Sequence, residues 1–417
     1  MEARRRRLIE KLLVFLAAIV VASAVPATVA RGASANAGGI TVTASSGQNS
    51  FPNQIVFGVR TQSSSEISWI RLDYREGDEP ITVEGSATFK PGFSVDASYA
   101  INLLSDYHPP GVVLHYQWRI QDMSGAEIDT AWADLNVTDL RFGWHERTRG
   151  NVILHWYDGD DAFADAVLAS ATKAFTAAQR DALAPWLGSV NVFLYGNSQD
   201  FRSALGAGAS EWAGGITFPA QHVVVLLTPS NDLSGAQRSV AHELTHAAID
   251  GARLNPFGSL PAWLDEGIAV MAEGDSEPRF VDALAAGAKS HQLMSIQSLS
   301  GNFPESNEEA ILAYAESESL VRFFVQSYGR DRLASLIAAF RAGDSPDEAF
   351  QASVGINVAD YQRAWMASLG AKTTTSVASG AQSAATRDRS SATPGEILAN
   401  VVRGLLQLFQ SAKSNPA

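Results

Sequence analysis

The chain of 417 residues is 46% hydrophobic and 18% charged, which allows two ordinary domains with tails. It has no cysteine, which excludes disulfides, cysteine metal ligands and cysteine nucleophiles. The formal net charge is −13 and would become −17 without residues 1–35, which carry a net charge of +4; because so acidic a surface repels phosphate backbones, we expect no nucleic-acid partner.

The first 35 residues have the features of a signal peptide. Four arginines, Arg4 to Arg7, precede an apolar run from Leu12 to Val25, and A-x-A cleavage sites end at Ala24 and Ala35. The apolar run is short for a membrane span, and Pro26 follows it. We expect an exported protein, secreted or associated with the cell envelope. An uncleaved anchor is the alternative.

Residues 38–147 predict a β-sandwich domain. Short runs rich in aromatic and β-branched residues are separated by turn residues, as in sandwiches of immunoglobulin type. The clearest runs are Ile55–Arg60, Ile67–Tyr74, Val112–Ile120 and Asp129–Val137. Trp69, Trp118 and Trp132 favour core packing, with a carbohydrate-binding face as the alternative.

Residues 148–370 predict a second domain that begins with strands and ends with helices. The predicted elements before residue 230 are a strand Asn151–Tyr157, a helix 161–187, a strand Val190–Tyr195, and paired strands Trp212–Pro219 and His222–Leu227. From Arg279 to Gly370 the pattern is mostly helical, with one long periodic segment from Glu308 to Tyr328.

The sequence Val-Ala-His-Glu-Leu-Thr-His, which ends at His246, contains side chains that can bind a metal ion and move a proton. His242 and His246 are four residues apart and project from one face of a helix, so both can bind one zinc ion. Glu243 lies beside them and can act as a general base on a water molecule. Ser234 and Gln237 form a capping-box pattern that predicts the start of this helix.

A catalytic zinc ion takes three protein ligands and leaves one position open. The next predicted helix starts near Pro261 and contains two candidate carboxylates, Asp265 and Glu266. The residues alone do not choose between them.

The segment from Trp263 to Ala269, Trp-Leu-Asp-Glu-Gly-Ile-Ala, resembles the W-L-x-E-G-x-A segment of gluzincin metallopeptidases. Together with the histidine motif it is similar to the bacterial peptidase MA-like family, over roughly residues 151–369. The resemblance implies that Glu266 is the third zinc ligand. It also implies an α+β protein in which the β-sandwich is followed by a thermolysin-like zinc-peptidase domain, with zinc between a strand-rich lobe and a helical lobe.

Further roles follow from the same resemblance. Related aminopeptidases bind the free amine of the substrate through a Glu on the strand before the motif, which Gly214-Gly215-Ile-Thr lacks. The two glycines permit close approach of a substrate strand or are turn glycines. A tyrosine on the helical side donates to the oxyanion in these relatives, and Tyr314 is the candidate, with His291 as the alternative. Glu273 is a candidate for orienting a ligand histidine.

After residue 370 the composition changes. Residues 371–394 are rich in Ser, Thr and Ala and predict a flexible linker. Residues 395–417 predict an amphipathic helix, which could contact a membrane or envelope surface peripherally, bind a partner, or dock onto the protein itself. The sequence does not indicate an oligomeric state.

The sequence therefore predicts an exported zinc metallopeptidase, most simply an endopeptidase acting on peptides or proteins. His242, His246 and Glu266 would hold Zn²⁺, Glu243 would be the general base for a metal-activated water, and Tyr314 would stabilise the oxyanion. One alternative is an exported adhesion or binding protein whose β domain is functional and whose zinc site is structural. Another is a zinc amidase acting on cell-wall peptides.

Overall fold

The computed structural model describes residues 36–37, 39–77, 79–181, 188–205, 214–251, 260–301, 303–304 and 307–370. The predicted leader, linker and C-terminal helix lie outside these residues. Within them, no helix is both long and apolar enough to cross a membrane.

The N-terminal part is a sandwich of two antiparallel sheets. Its strands are β1 (Asn36–Ala37), β2 (Ile40–Ser50), β3 (Gln54–Gln62), β4 (Ile67–Glu76), β5 (Val83–Ser86), β6 (Ser94–Asn102), β7 (Val113–Asp122), β8 (Glu127–Asp129) and β9 (Ala133–Asn136). One sheet has the order β1-β2-β3-β6; the other has the order β5-β4-β7-β8, with β9 also paired to β7. The run predicted as one strand from Asp129 to Val137 is thus split between β8 and β9.

Alternation of buried residues explains this packing. On β7, Tyr116 and Trp118 point inward and meet the other sheet, where the ring centroid of Phe57 lies 4.7 Å from that of Tyr116. Trp118 is therefore a core residue. Trp69 and Trp132 lie outside the core, and their rings are covered by the guanidinium groups of Arg71 and Arg75, respectively.

A third sheet joins the sandwich to the rest of the chain. Its strands are β10 (His145–Arg149), β11 (Val152–Trp156), β12 (Val190–Tyr195), β13 (Gly215–Phe218) and β14 (Val223–Leu227), in the order β10-β11-β12-β14-β13. The three central strands are parallel and the two outer ones antiparallel. The border expected after residue 147 falls within β10.

The two faces of this sheet have different neighbours. Val192 and Val224 face a core formed with helices α1 (Asp161–Asp181) and α3 (Leu233–Gly251). Phe193 and Val225 face the opposite way, into the core of the sandwich. Because the central parallel strands are covered on both faces, their sequences are almost continuously apolar.

The remainder is helical and has its own apolar core, centred on Trp263, Phe324 and Tyr361. Its helices are α4 (Ala262–Ala272), α5 (Pro278–Ser290), α6 (Ile296–Leu299), α7 (Asn307–Tyr328), α8 (Arg330–Ala342), α9 (Pro346–Val354) and α10 (Val358–Ser368). The short helix α2 (Ser198–Ala204) lies between β12 and β13 in the chain and packs on the core of the sandwich. The α+β class, with a β-sandwich followed by a strand-rich and a helical lobe, is confirmed.

The helix that carries the histidine motif does not begin as the sequence suggested. It starts at Leu233, and the carboxylate of Asp232 accepts the N–H of Gly235 at 2.9 Å. Gln237 instead donates its side-chain amide to the carbonyl of Ala166 on α1. The capping-box prediction was wrong because an acidic residue two positions earlier caps the first turn.

Glu316 on α7 gives a test of the helical core. Burial raises the pKa of this carboxyl from 4.5 to about 8, although the N–H of Met294 donates to it. The folded state therefore favours the protonated form, and that contribution to stability is full below pH 4.5 and lost as the pH rises to about 8.

We expect the free energy of unfolding to fall between pH 5 and pH 8, and Glu316→Gln to make this fall smaller, because the amide cannot ionise. Urea unfolding across that range measures the effect. Glu308→Gln, at an exposed position on the same helix, is the control and keeps the wild-type slope. An unchanged slope in Glu316→Gln would contradict this assignment.

Candidate metal centre

Helix α3 presents His242 and His246 from one face, while Val240 and Leu244 are fully buried against the third sheet. Burial of these apolar residues fixes the rotation of the helix. The two imidazoles consequently point toward α4, with their Nε2 atoms 3.2 Å apart.

Helix α4 brings Glu266 to the same point. Trp263 and Ile268 anchor it in the helical core. Gly267 allows it to cross α7 closely, because a Cβ at this position would lie 2.4 Å from the carbonyl oxygen of Ser317. The carboxylate of Glu266 is thereby directed at the two imidazoles.

The three side chains form a nearly regular triangle. Glu266 Oε2 lies 3.4 Å from His242 Nε2 and 3.5 Å from His246 Nε2, and the third edge is 3.2 Å. Zinc bonds of about 2.0–2.1 Å in a tetrahedral arrangement separate neighbouring ligand atoms by roughly 3.3–3.4 Å. The spacing of these atoms therefore fits zinc ligation. Among the described residues, this is the one group of His, Cys, Asp and Glu side chains that could hold a metal ion.

The state of Glu266 supports the same conclusion. It is only 3% exposed, and none of the residues that the structure describes forms a hydrogen bond with its buried Oε2 atom. Burial opposes ionisation, but His246 and His242 lower the pKa of Glu266 to about 2. A buried, ionised oxygen without a hydrogen-bond partner is a ligand atom suited to a cation.

The imidazoles lie in an electronegative environment. Burial opposes their protonation, yet the neighbouring carboxylates of Glu266 and Glu273 raise the pKa of His242 to about 9. Asp265 and Glu266 likewise raise the pKa of His246. A site that favours positive charge this strongly also favours a divalent cation.

Two further carboxylates orient the histidines. Glu273 Oε1 is 2.9 Å from His242 Nδ1, and Asp265 Oδ1 is 3.3 Å from His246 Nδ1. Asp265, the other candidate for third ligand, thus lies behind His246 and outside the triangle. Arg238 in turn holds Glu273 at 3.0 Å and Glu277 at 3.1 Å.

Glu243 lies against the edge strand β13. Its Oε2 accepts a hydrogen bond of 2.7 Å from the hydroxyl of Thr217. A Cβ on Gly215 would approach Glu243 Oε1 to 2.9 Å, so this position has no room for a side chain. Gly215 therefore belongs to the strand and permits close approach, but the group that approaches it is Glu243.

Tyr314 and Glu243 line one cavity of about 380 Å³ together with His242. The Tyr314 hydroxyl is buried, and no hydrogen bond joins it to the described part of the chain. Burial, then Glu266 and Glu243, raise the pKa of Tyr314 far above its usual value, so the hydroxyl remains a donor. His291 is exposed at the end of α5 and is not among the described residues that line the cavity.

Residues 170–371, just under half of the chain, match the family model of the Peptidase MA superfamily. All five residues singled out for the site lie in this segment: His242, Glu243, His246, Glu266 and Tyr314. The match confirms the resemblance drawn from the two sequence motifs.

Several solved structures are similar to the chain. An aminopeptidase N family protein from Idiomarina loihiensis is 12% identical; the match covers 75% of this chain and 73% of that one, with a TM-score of 0.37. An M1 zinc metallopeptidase from Deinococcus radiodurans is 14% identical, with coverage of 75% and 89% and a TM-score of 0.33. The carbohydrate-binding module of the muscle glycogen-targeting subunit of protein phosphatase-1 is 15% identical, with coverage of 24% and 76% and a TM-score of 0.18. No curated protein matches the chain.

Sequence reasoning missed two residues of the site. Arg238 precedes His242 by four residues and therefore shares its helix face, a spacing that could have indicated the contact with Glu273. Thr217 and Gly215 are two residues apart on a strand, so both lie on the face that looks toward α3. That strand lies far from Glu243 in the sequence, and no local pattern pairs the two.

The contact of Glu273 with His242 gives a prediction about metal affinity. We expect Glu273→Ala to weaken zinc binding about 10–100-fold, because the imidazole loses the partner that orients it. Competition with a chromophoric chelator measures the affinity. Glu277→Ala is the matched control, since Glu277 also binds Arg238 but does not contact a histidine. Equal losses in both variants would show that Glu273 acts only through Arg238.

Proposed function

We propose that the protein is an exported zinc-dependent metallopeptidase that cleaves internal peptide bonds. The observation that carries the proposal is the triangle of His242, His246 and Glu266, with Glu243 at the adjoining cavity. A purely structural zinc site has four protein ligands and needs no base beside it.

His242, His246 and Glu266 would hold the ion. Bound there, Zn²⁺ would polarise the scissile carbonyl and lower the pKa of a water molecule. Glu243 accepts the proton of the attacking water and passes it to the leaving nitrogen. Tyr314 donates its hydroxyl to the carbonyl oxygen as negative charge develops, which suits a phenol that stays protonated.

The edge strand β13 supports internal cleavage. In the described part of the chain no strand pairs with its outer side. Leu227 donates its N–H to the carbonyl of Gly214, so by antiparallel alternation Gly215 and Thr217 direct their main-chain groups away from β14. An extended peptide can add to this edge through main-chain hydrogen bonds.

The same strand offers no carboxylate to a free amino terminus. Gly215 has no side chain, and the Thr217 hydroxyl is engaged with Glu243. Ile216 and Phe218 pack toward the sandwich. We therefore infer that recognition does not require a free amine. Glu211, which is close to this strand in the sequence, lies outside the described residues.

Export rests on the basic and apolar leader and on the absence of cysteine. The substrate class is peptides or proteins, and the acidic surface disfavours nucleic acid. Peripheral contact with a membrane or envelope through residues 395–417 is part of the proposal.

The proposal is tested by incubating the purified mature chain with paired peptides that carry a free or an acetylated amino terminus. We expect internal cleavage of both members, its loss with a chelator and its return with zinc. Release of single residues from the free peptides alone would indicate an aminopeptidase. Cleavage of cell-wall peptides alone would indicate the amidase. A zinc-loaded chain that cleaves none of them would favour the binding protein.

Replacing the general base separates chemistry from metal binding. We expect Glu243→Gln to lower the hydrolysis rate by about 10²–10⁴-fold, because the amide cannot accept the proton. Zinc content, measured by elemental analysis, should stay at the wild-type level. His246→Ala is the comparison variant and should lose the metal. Retained hydrolysis in Glu243→Gln would remove this residue from the mechanism.

A further inference from the structure

The two oxygens of the Glu243 carboxylate have different neighbours. Oε2 accepts the Thr217 hydroxyl at 2.7 Å, while Oε1 occupies the space left by the missing side chain of Gly215. Glu243 is only 4% exposed. Thr217 and Gly215 both stand on the face of β13 that looks toward α3, two residues apart.

The donor is itself rigidly placed. Threonine is β-branched, which restricts its χ1 angle on a strand. The strand is paired with β14 from Gly215 to Phe218, and Phe218 packs 5.6 Å from Tyr107 of the sandwich. The Thr217 hydroxyl also lies 3.3 Å from the main-chain oxygen of Glu243, so it contacts both the backbone and the carboxylate of this residue.

We propose that Thr217 is a positioning residue for Glu243. Its hydroxyl donates a hydrogen bond to Oε2. Oε1, which lies beside Gly215 at the cavity, is therefore the oxygen that remains free to accept a proton. This inference rests on the proposed function. It makes β13 a two-sided element, because its main chain faces the substrate edge while its side chains hold the base.

A packing role is the competing explanation. Threonine is favoured in strands by its shape alone, and valine would serve that purpose equally well. The hydroxyl and the shape can therefore be tested separately. Thr217→Val keeps the shape and removes the donor, whereas Thr217→Ser keeps the donor and removes the methyl group.

The experiment compares these two variants with the wild type as full-length, zinc-loaded protein. We expect Thr217→Val to lower kcat about 10–100-fold with little change in KM and with unchanged zinc content, since a misplaced base slows only the chemical step. Thr217→Ser should retain kcat within about fivefold. Thr172→Val is the matched control, because that hydroxyl bonds a helix carbonyl on α1 away from the site.

Crystal structures of the wild type and of Thr217→Val supply a readout that does not depend on activity. We expect Glu243 to hold one position in the wild type and to leave it in the variant. If the wild type cleaves no peptide, the proposed function fails, yet this displacement would still support the role of Thr217.

The proposal is overturned if Glu243 keeps its position in Thr217→Val, if that variant keeps its full kcat, or if Thr217→Ser is as impaired as Thr217→Val. Should the valine variant fail to fold, Thr217→Ala removes the same hydroxyl and is judged by the same position of Glu243.

Discussion

Buried negative charge is the constraint on which the centre of this protein depends. Glu266 is almost fully buried, and Asp265 and Glu273 stand close behind the histidines. A buried carboxylate without a positive partner costs several kcal/mol. The two imidazoles and Arg238 offset this charge, so α3 and α4 must keep their present relation. The close crossing at Gly267 keeps α4 in the position that this contact requires, because any side chain there would push α4 away from α7.

The β-sandwich takes part in this arrangement through the third sheet. Phe193 and Val225 lie in the sandwich core, while the opposite face of the same sheet supports α3. Strand β13 ends at Phe218, which contacts Tyr107 of the sandwich. The edge that holds Glu243 is thus fixed from the sandwich side as well as from the helix side. The sandwich therefore supports the site.

Much of the site was accessible from the sequence because it depends on helical spacing. The interval between His242 and His246 placed both on one face, and Glu243 followed as the neighbour. The choice between Asp265 and Glu266 was different. Adjacent helical residues point about 100° apart, so only one can face the ion, and spacing alone does not say which. The family resemblance indicated Glu266, and the structure places that residue at the triangle.

Other features depend on contacts between distant parts of the chain and could not be predicted in this way. Thr217 meets Glu243 through the packing of a strand on a helix. The position of Tyr314 at the cavity depends on how α7 packs beside the site. The start of α3 was misplaced because two capping patterns compete within a few residues, and Asp232 is the one that bonds the backbone. The α+β order, by contrast, followed from periodicity along the chain.

The most direct test of the account is anomalous X-ray scattering at the zinc absorption edge, from crystals of the zinc-loaded protein. The account predicts one strong peak within about 2.0–2.1 Å of His242 Nε2, His246 Nε2 and a carboxylate oxygen of Glu266. A site without a peak, or a zinc ion bound elsewhere and not contacted by Glu266, would contradict it.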